Sequence, residues 1–368
     1  MSAKRTKRIT IKIGTRVLTD SANRIDQAVI KNIANQISDL KDAGMEVILV
    51  SSGAVGSGLG LLGLEKKGLS LSGMQAAASV GQNHLMNIYN SYLSKRGYIT
   101  GQMLLTQEDF ADRKRFLNIR YTLNTLLKHG AVPIINENDS VSTDEIKCGD
   151  NDRLSGLVAD LAEVDLLVIL TDVEGLYDKD GKIIGSVGEI TGSIKALCSG
   201  KGCAESTGGM LSKLEAVKNA SRSGIECVIA LGRRDNVLKD IISGKDVGTR
   251  FLSAKRTLKA RKRWIAFSLR AKGSIMVDEG AEKAVAARNK SLLPSGIQGV
   301  KGSFSSGDVV EICSLRGRVF ARGLSNYASN EIDMIKGRSS AAIEKELGYK
   351  DYDEVVHRDN LVILDRED

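Results

Sequence analysis

Along the first two thirds of the chain, apolar and polar positions alternate between two spacings. Short runs rich in Ile, Val and Leu fall at residues 8–13, 46–50, 98–104, 131–135, 165–170 and 226–230. Continuous apolar runs of this length predict buried β-strands. Longer segments between them carry apolar residues three and four apart. One begins near Asp26, lines up Ile30, Ile33, Ile37 and Leu40 on one helical face, and has Gly44 just past its end as a cap. Further helices are predicted near 74–96, 115–128, 153–162 and 210–223. Strands alternating with helices predict an α/β fold, a mainly parallel sheet sandwiched by helices. Ligands of such sheets bind beyond the carboxyl ends of the strands, so chemistry is expected in the loops that follow them.

From about residue 273 the pattern changes. Strand-like pieces at 274–277, 308–312, 318–321 and 361–364 are broken by Gly and Ser, with short helices predicted near 281–288 and 340–347. This reads as a small β-rich domain. The expected organisation is a catalytic domain over 1–254, a basic connector over 255–272 and the β-rich domain over 273–368.

Composition narrows the classes. A hydrophobic share of 42% with charges of mixed sign excludes general disorder. The chain has 38 glycines but only Pro133 and Pro294, so collagen-like and proline-rich readings fail and turns must rest on Gly, Asn and Asp. Cys148, Cys198, Cys203, Cys227 and Cys313 form no CxxC pair and there are three histidines, which leaves little for a zinc site or a disulfide framework; no metal ligand is predicted. The basic start, Lys4, Arg5, Lys7 and Arg8, is followed by an apolar run that Lys12 interrupts, so no signal-peptide core forms. No apolar stretch approaches the roughly 18 residues of a membrane span. A cytoplasmic protein without membrane contact is expected.

The net charge of +8 is unevenly placed. Residues 250–272 hold nine basic side chains and no acidic one, whereas 1–249 carry +2 and 273–368 carry −3. The bulk of the basicity is one segment. A nucleic-acid reading would have to rest on it, and on Trp264 and Phe267 within it, since the β-rich tail lacks a basic stripe. An interdomain connector with solvated or paired cations is the simpler account.

Candidate chemistry lies after the strands. The first strand ends in Ile11-Lys12-Ile13-Gly14-Thr15. Its lysine is either an exposed edge residue or an ammonium for phosphate, with Gly14 letting an anion approach. The second runs into Ser51-Ser52-Gly53-Ala54-Val55-Gly56-Ser57-Gly58, a glycine-rich loop able to cradle an anion, though neither the Walker pattern nor GxGxxG is present. Asn136-Glu137-Asn138-Asp139-Ser140 and Gly149-Asp150-Asn151-Asp152 concentrate acids and amides after the fourth strand. The fifth leads into Thr171-Asp172 and then a hairpin signal at Asp180-Gly181. Thr207-Gly208-Gly209-Met210-Leu211-Ser212-Lys213 opens a helix, where free N–H groups and the dipole favour an anion. Two lysines, two anion cradles and a cluster of acids and amides along one sheet edge suit phosphoryl transfer. A carboxylate nucleophile would need no general base, because it is already ionised at neutral pH.

These six loops, in this order, resemble the amino acid kinase family. The tail, with Val277-Asp278-Glu279-Gly280-Ala281 and Leu292-Leu293-Pro294-Ser295-Gly296-Ile297, resembles the PUA domain carried by bacterial members. The combination is most similar to the branch that phosphorylates the γ-carboxylate of L-glutamate. The resemblance implies ATP and Mg²⁺ as cofactors, γ-glutamyl 5-phosphate as product and a place at the start of proline synthesis. It further implies feedback inhibition by proline, a homo-oligomer and coupling to glutamyl phosphate reductase. By the same resemblance, Lys12 and Lys213 flank the transferring phosphoryl group, Asp152 orients them, and Gly14 and Gly53 offer backbone donors. Ser52, Gly53, Asp139 and Asn151 hold glutamate, with Asp139 facing its ammonium. Lys12, Gly14, Thr171, Asp172 and residues Thr207, Gly208, Gly209, Met210, Leu211, Ser212 and Lys213 contact ATP. Ser51 stands where the family often has Thr, which retains a hydroxyl. The alternatives are another acceptor (acetylglutamate, aspartate, carbamate or a nucleoside monophosphate) and RNA binding through the tail.

Overall fold

The computed structural model describes residues 6–20, 24–141, 150–199, 207–253, 271–288 and 290–364. The chain divides into two compact units, residues 1–257 and 258–368. Most of the basic segment, Cys148, Gly149 and Cys203 lie outside the described residues.

In the first unit the elements run β1 (Arg8–Ile13), α1 (Thr15–Leu18), α2 (Gln27–Asp42), β2 (Glu46–Ser51), α3 (Ala54–Leu62), α4 (Leu71–Leu93), β3 (Thr100–Leu105), α5 (Gln107–Ala111), α6 (Arg113–Lys128) and β4 (Val132–Glu137). They continue as α7 (Asp150–Leu161), β5 (Leu166–Thr171), β6 (Ser186–Val187), α8 (Gly192–Ala196), α9 (Thr207–Arg222), β7 (Glu226–Leu231), α10 (Val237–Ile242) and β8 (Thr249–Phe251). One eight-stranded sheet has the order β3-β4-β2-β1-β5-β7-β8-β6. It is parallel from β3 through β7; β8 pairs antiparallel with β7.

Helices cover both faces, as the alternating pattern predicts. Ile9, Ile11, Ile13, Val47 and Leu49 face a core completed by α2, α4 and α10. Ile48, Val50, Ile135, Leu167 and Ile169 face the other, completed by α6, α7 and α9. The period of two along β1 sends Lys12 to the opposite face from Ile11 and Ile13.

Among its described residues the second unit is β-rich, with five strands in the order Ile297–Gly302, Gly273–Val277, Val309–Ser314, Val319–Leu324, Leu361–Ile363. Four of them match the predicted pieces within three residues; the glycine-bearing strand Ile297–Gly302 was not predicted. The helix Glu279–Arg288 was expected; Ser329–Ile335 was not. No helix among the described residues is long and apolar enough to cross a membrane.

Two close approaches fix the geometry of the first unit. A Cβ on Gly81 would lie 1.8 Å from the Ala54 carbonyl oxygen, and one on Gly58 would lie 1.8 Å from that of Ala77. Helices α3 and α4 therefore cross at backbone distance, which only glycine permits. The expectation that residues 51–58 form a loop is corrected accordingly: the turn is Ser52-Gly53, α3 begins at Ala54, and Gly58 serves packing. On the other face, a Cβ on Gly156 would meet the Ala216 carbonyl oxygen at 3.2 Å, so a small residue lets α7 lie against α9.

Candidate active site

The carboxyl ends of β1, β2, β4 and β5 open into a cleft of about 800 Å³, at the upper end of the range for small-molecule sites. Its walls hold Lys12, Gly14, Ser52, Gly53, Asp139, Asn151, Asp152, Thr171, Asp172, Gly209, Met210 and Lys213. Most of the residues expected at the site from scattered loops are thus brought into one cavity. No histidine lines it.

At its floor is a buried ionic cluster. β1 lies in mid-sheet between β2 and β5, and Lys12 is only 4% exposed. The edge-residue reading of Lys12 is therefore wrong. The Lys12 ammonium pairs with Asp152 Oδ1. Asp152 sits in the first turn of α7, where the helix dipole favours a negative charge, and its side chain is 1% exposed. Its Oδ2 accepts from Ser212 Oγ at 2.6 Å and from Lys213 Nζ at 3.2 Å. Lys213 Nζ also donates to the Gly209 carbonyl at 2.9 Å, one turn back in α9. Burial is the largest influence on the Asp152 carboxyl and pushes its pKa up. The charges of Lys12 and Lys213, with the hydrogen bonds from Lys12 and Ser212, outweigh it and hold the group below the ordinary carboxylate value. Two ammoniums are thereby held at the end of the sheet by one carboxylate.

Beside this cluster, Gly53 takes a left-handed conformation, φ 96°, and serves as the N-cap of α3. The following residues Ala54, Val55 and Gly56, which carry the first N–H groups of that helix, line the cleft. Ser51, fully buried, is hydrogen-bonded to Tyr89 of α4 at 3.0 Å, which ties the turn to the helix layer. Gly14 contributes differently from the expectation. Its N–H donates to the Leu170 carbonyl at 3.0 Å, so the amide is already engaged. A Cβ here would make only ordinary contacts, 3.4 Å from the Leu170 carbonyl oxygen and 3.7 Å from Lys12 Nζ, so the backbone itself does not demand glycine at this position.

At the end of β4, Asn136 and Glu137 belong to the strand itself and are nearly inaccessible. The Glu137 N–H donates to Asn136 Oδ1 at 2.9 Å and to Asn151 Oδ1 at 3.3 Å, joining the two Asx clusters that the sequence separates. At the end of β5, Thr171 Oγ1 donates to Asp172 Oδ1 at 3.0 Å, and Arg16 Nη1 to Oδ2 at 3.2 Å. Burial raises the Asp172 pKa, but the bonds from Thr171 and Arg16 and the Arg16 charge bring it below the ordinary value.

Of the expected ATP contacts on α9, Gly209, Met210 and Lys213 reach the cleft. Ser212 turns to Asp152, and Leu211 packs against the core with Met210. Thr207 and Gly208 open the helix. Sequence reasoning missed several wall residues: Arg16 after β1, Glu65, Lys66 and Lys67 after α3, Val173, Leu176 and Tyr177 after β5, and Leu197 with Cys198. Position alone could have found Val173 to Tyr177, because they leave the carboxyl end of a central strand. Nothing local marks the rest.

A parallel sheet with a lysine-carboxylate-lysine cluster and helix N-termini at its carboxyl edge has the chemistry that phosphoryl transfer calls for, and the chain belongs to the amino acid kinase family, whose profile matches residues 7–231. A PUA domain profile matches residues 273–347. The chain is 48% identical over 365 residues to a protein of Caldanaerobacter subterraneus subsp. tengcongensis named Glutamate 5-kinase, with 98% of each chain covered. Proteins of the same name from Thermoanaerobacter sp. (strain X514) and Trichlorobacter lovleyi are 47% and 48% identical, over 98% and 97% of each chain.

Proposed function

We propose that the protein transfers the γ-phosphoryl group of ATP to the γ-carboxylate of L-glutamate, giving γ-glutamyl 5-phosphate and ADP in the first step of proline biosynthesis. The observation that carries this reading is the buried Lys12–Asp152–Lys213 cluster facing the cleft. The choice of acceptor is supported by the relatives' name and by the acids and amides grouped at the ends of β4 and α7. In this reading a glutamate oxygen forms a bond to the γ-phosphorus while the bond to the bridging oxygen breaks, and ADP carries away the electron pair. No proton is removed, which suits a cleft without histidine.

Lys12 and Lys213 neutralise charge on the phosphoryl oxygens as it spreads, and Asp152 holds both ammoniums in place before substrates arrive. N–H groups at the start of α3 add donors. Ser52, Gly53, Asn151 and Asp139 hold glutamate, Asp139 opposite its ammonium. Gly14, Thr171, Asp172 and the start of α9 contact ATP. Among the described residues no three His, Cys, Asp or Glu side chains group closely enough to cage a metal. Asp152 is committed to two ammoniums and a hydroxyl. This donor set fits Mg²⁺ carried by the nucleotide's phosphate oxygens and water, where it neutralises their charge.

The proposal extends to a division at 1–254, 255–272 and 273–368, to a cytoplasmic homo-oligomer inhibited by proline, and to delivery of the labile acyl phosphate to glutamyl phosphate reductase. The test is an acceptor panel. ADP release should depend on L-glutamate and be negligible with N-acetylglutamate, aspartate, carbamate or a nucleoside monophosphate; release that is independent of glutamate overturns the reading.

A further inference from the structure

Gln82 lies on α4, outside the residues that line the cleft, and is 7% exposed. Its Oε1 accepts from Asn136 Nδ2 at 2.8 Å, while its Nε2 is buried and has no hydrogen-bond partner among the described residues. A glutamine that leaves its own donor unsatisfied in order to accept from a neighbour is held there by that neighbour. The direction is dictated by the backbone. The Glu137 N–H can only donate, so the atom of Asn136 beside it must be Oδ1, and Nδ2 must then face Gln82. The same N–H is shared with Asn151 Oδ1. With its oxygen engaged, Asn151 is left to offer its NH₂ as a donor, the polarity that a substrate carboxylate requires.

We infer that Gln82 is a positioning residue for the amino-acid end of the cleft. By holding Asn136 Oδ1 on the Glu137 N–H, it keeps that N–H shared between Asn136 and Asn151 and so sets the orientation in which Asn151 presents a donor to substrate. The inference rests on the proposed glutamate site. It is distinct from a general packing role, because it reaches one substrate and not the other.

The experiment is a double-mutant cycle on the full-length protein. Gln82→Met keeps length and burial but removes the acceptor. It should raise the KM for glutamate about tenfold, the effect of one lost orienting hydrogen bond, with the KM for ATP within twofold and kcat within threefold. In an Asn151→Ala background the same substitution should produce no further rise, because its effect passes through Asn151. An unchanged glutamate KM, an equal rise for both substrates, or a rise that persists in Asn151→Ala overturns the inference. Should Gln82→Met not fold, Gln82→Leu, which likewise lacks the acceptor, carries the same cycle with the same expected and overturning outcomes. Wild-type protein is assayed first. Absence of glutamate-dependent turnover there refutes the proposed function, whereas normal turnover with an unaffected Gln82 variant refutes this inference alone.

Discussion

Replacing Asp152 with Asn removes the charge that holds the cluster together while keeping the side chain's shape. Asp152 is 1% exposed, Lys12 5% and Lys213 12% at the side chain, so solvent screens the pairs weakly. At the 3.2 Å separation of Lys213 Nζ and Asp152 Oδ2, unit charges attract by about 5 kcal/mol at an effective dielectric constant of roughly 20. Desolvation offsets much of that attraction in the intact protein. In Asp152→Asn, however, two buried ammoniums keep their desolvation cost and face each other, and breaking a buried pair in this way costs about 3–5 kcal/mol. For a unit of this size the melting temperature should fall by about 6–20 °C. Saturating ATP should restore part of the loss, since its phosphates bring negative charge to the same ammoniums. Turnover, read as glutamate-dependent ADP release, should drop about 10²–10³-fold, the effect of losing one preorganised electrostatic element.

The pH dependence has a defined sign. The Asp152 carboxyl is held below its ordinary value of 3.8, so the folded state favours the ionised form. Its contribution is complete above that value and is lost as pH falls through the lower folded-state pKa. The gap in melting temperature between wild type and Asp152→Asn should therefore be constant near neutrality and shrink below about pH 4. An Asp152→Asn protein that melts within 2 °C of wild type and turns over within about fivefold of it would refute the electrostatic reasoning.

Further expectations test other parts of the account. Gly81→Ala puts a methyl group into the Ala54 carbonyl, so urea unfolding should show a loss of about 3 kcal/mol. Gly44→Ala, left-handed but with open space around it, should lose only about 1–2 kcal/mol. Arg16→Ala removes an exposed pair with Asp172 and should change stability by less than about 1 kcal/mol. Steady-state kinetics of the same variant should show a higher KM for ATP and an unchanged KM for glutamate. Asp139→Ala should weaken glutamate binding more than ATP binding; equal effects in calorimetric titration would remove Asp139 from the amino-acid end.

The central sheet was legible because five of its six long strands, all but β3, are largely buried apolar runs, and the six predicted strands end within about two residues of the observed ones. The short strands β6 and β8 were not seen, since two or three residues carry no period. Lys12 was ambiguous for a physical reason: a lysine in an apolar run reads as an edge position unless its counter-ion is known. That counter-ion is 140 residues away in sequence. The cleft's chemistry was visible as residue types, but its connections were not. Local sequence does not disclose that Ser212 serves Asp152, that the Gly14 amide belongs to Leu170, or that Gln82 governs Asn136. Glycine misled in one place. Its scarcity of side chain suits both an anion loop and a helix crossing, and at Gly58 it is the crossing that uses it.

The most direct test of the central claim is the single-turnover rate of γ-glutamyl phosphate formation, trapped with hydroxylamine as the hydroxamate, in Lys12→Ala protein shown by circular dichroism to be folded. If the Lys12–Asp152–Lys213 cluster stabilises the transferring phosphoryl group, the rate should fall at least about 10²–10³-fold below wild type at saturating ATP and glutamate. A rate within about tenfold of wild type would place the chemistry elsewhere in the cleft.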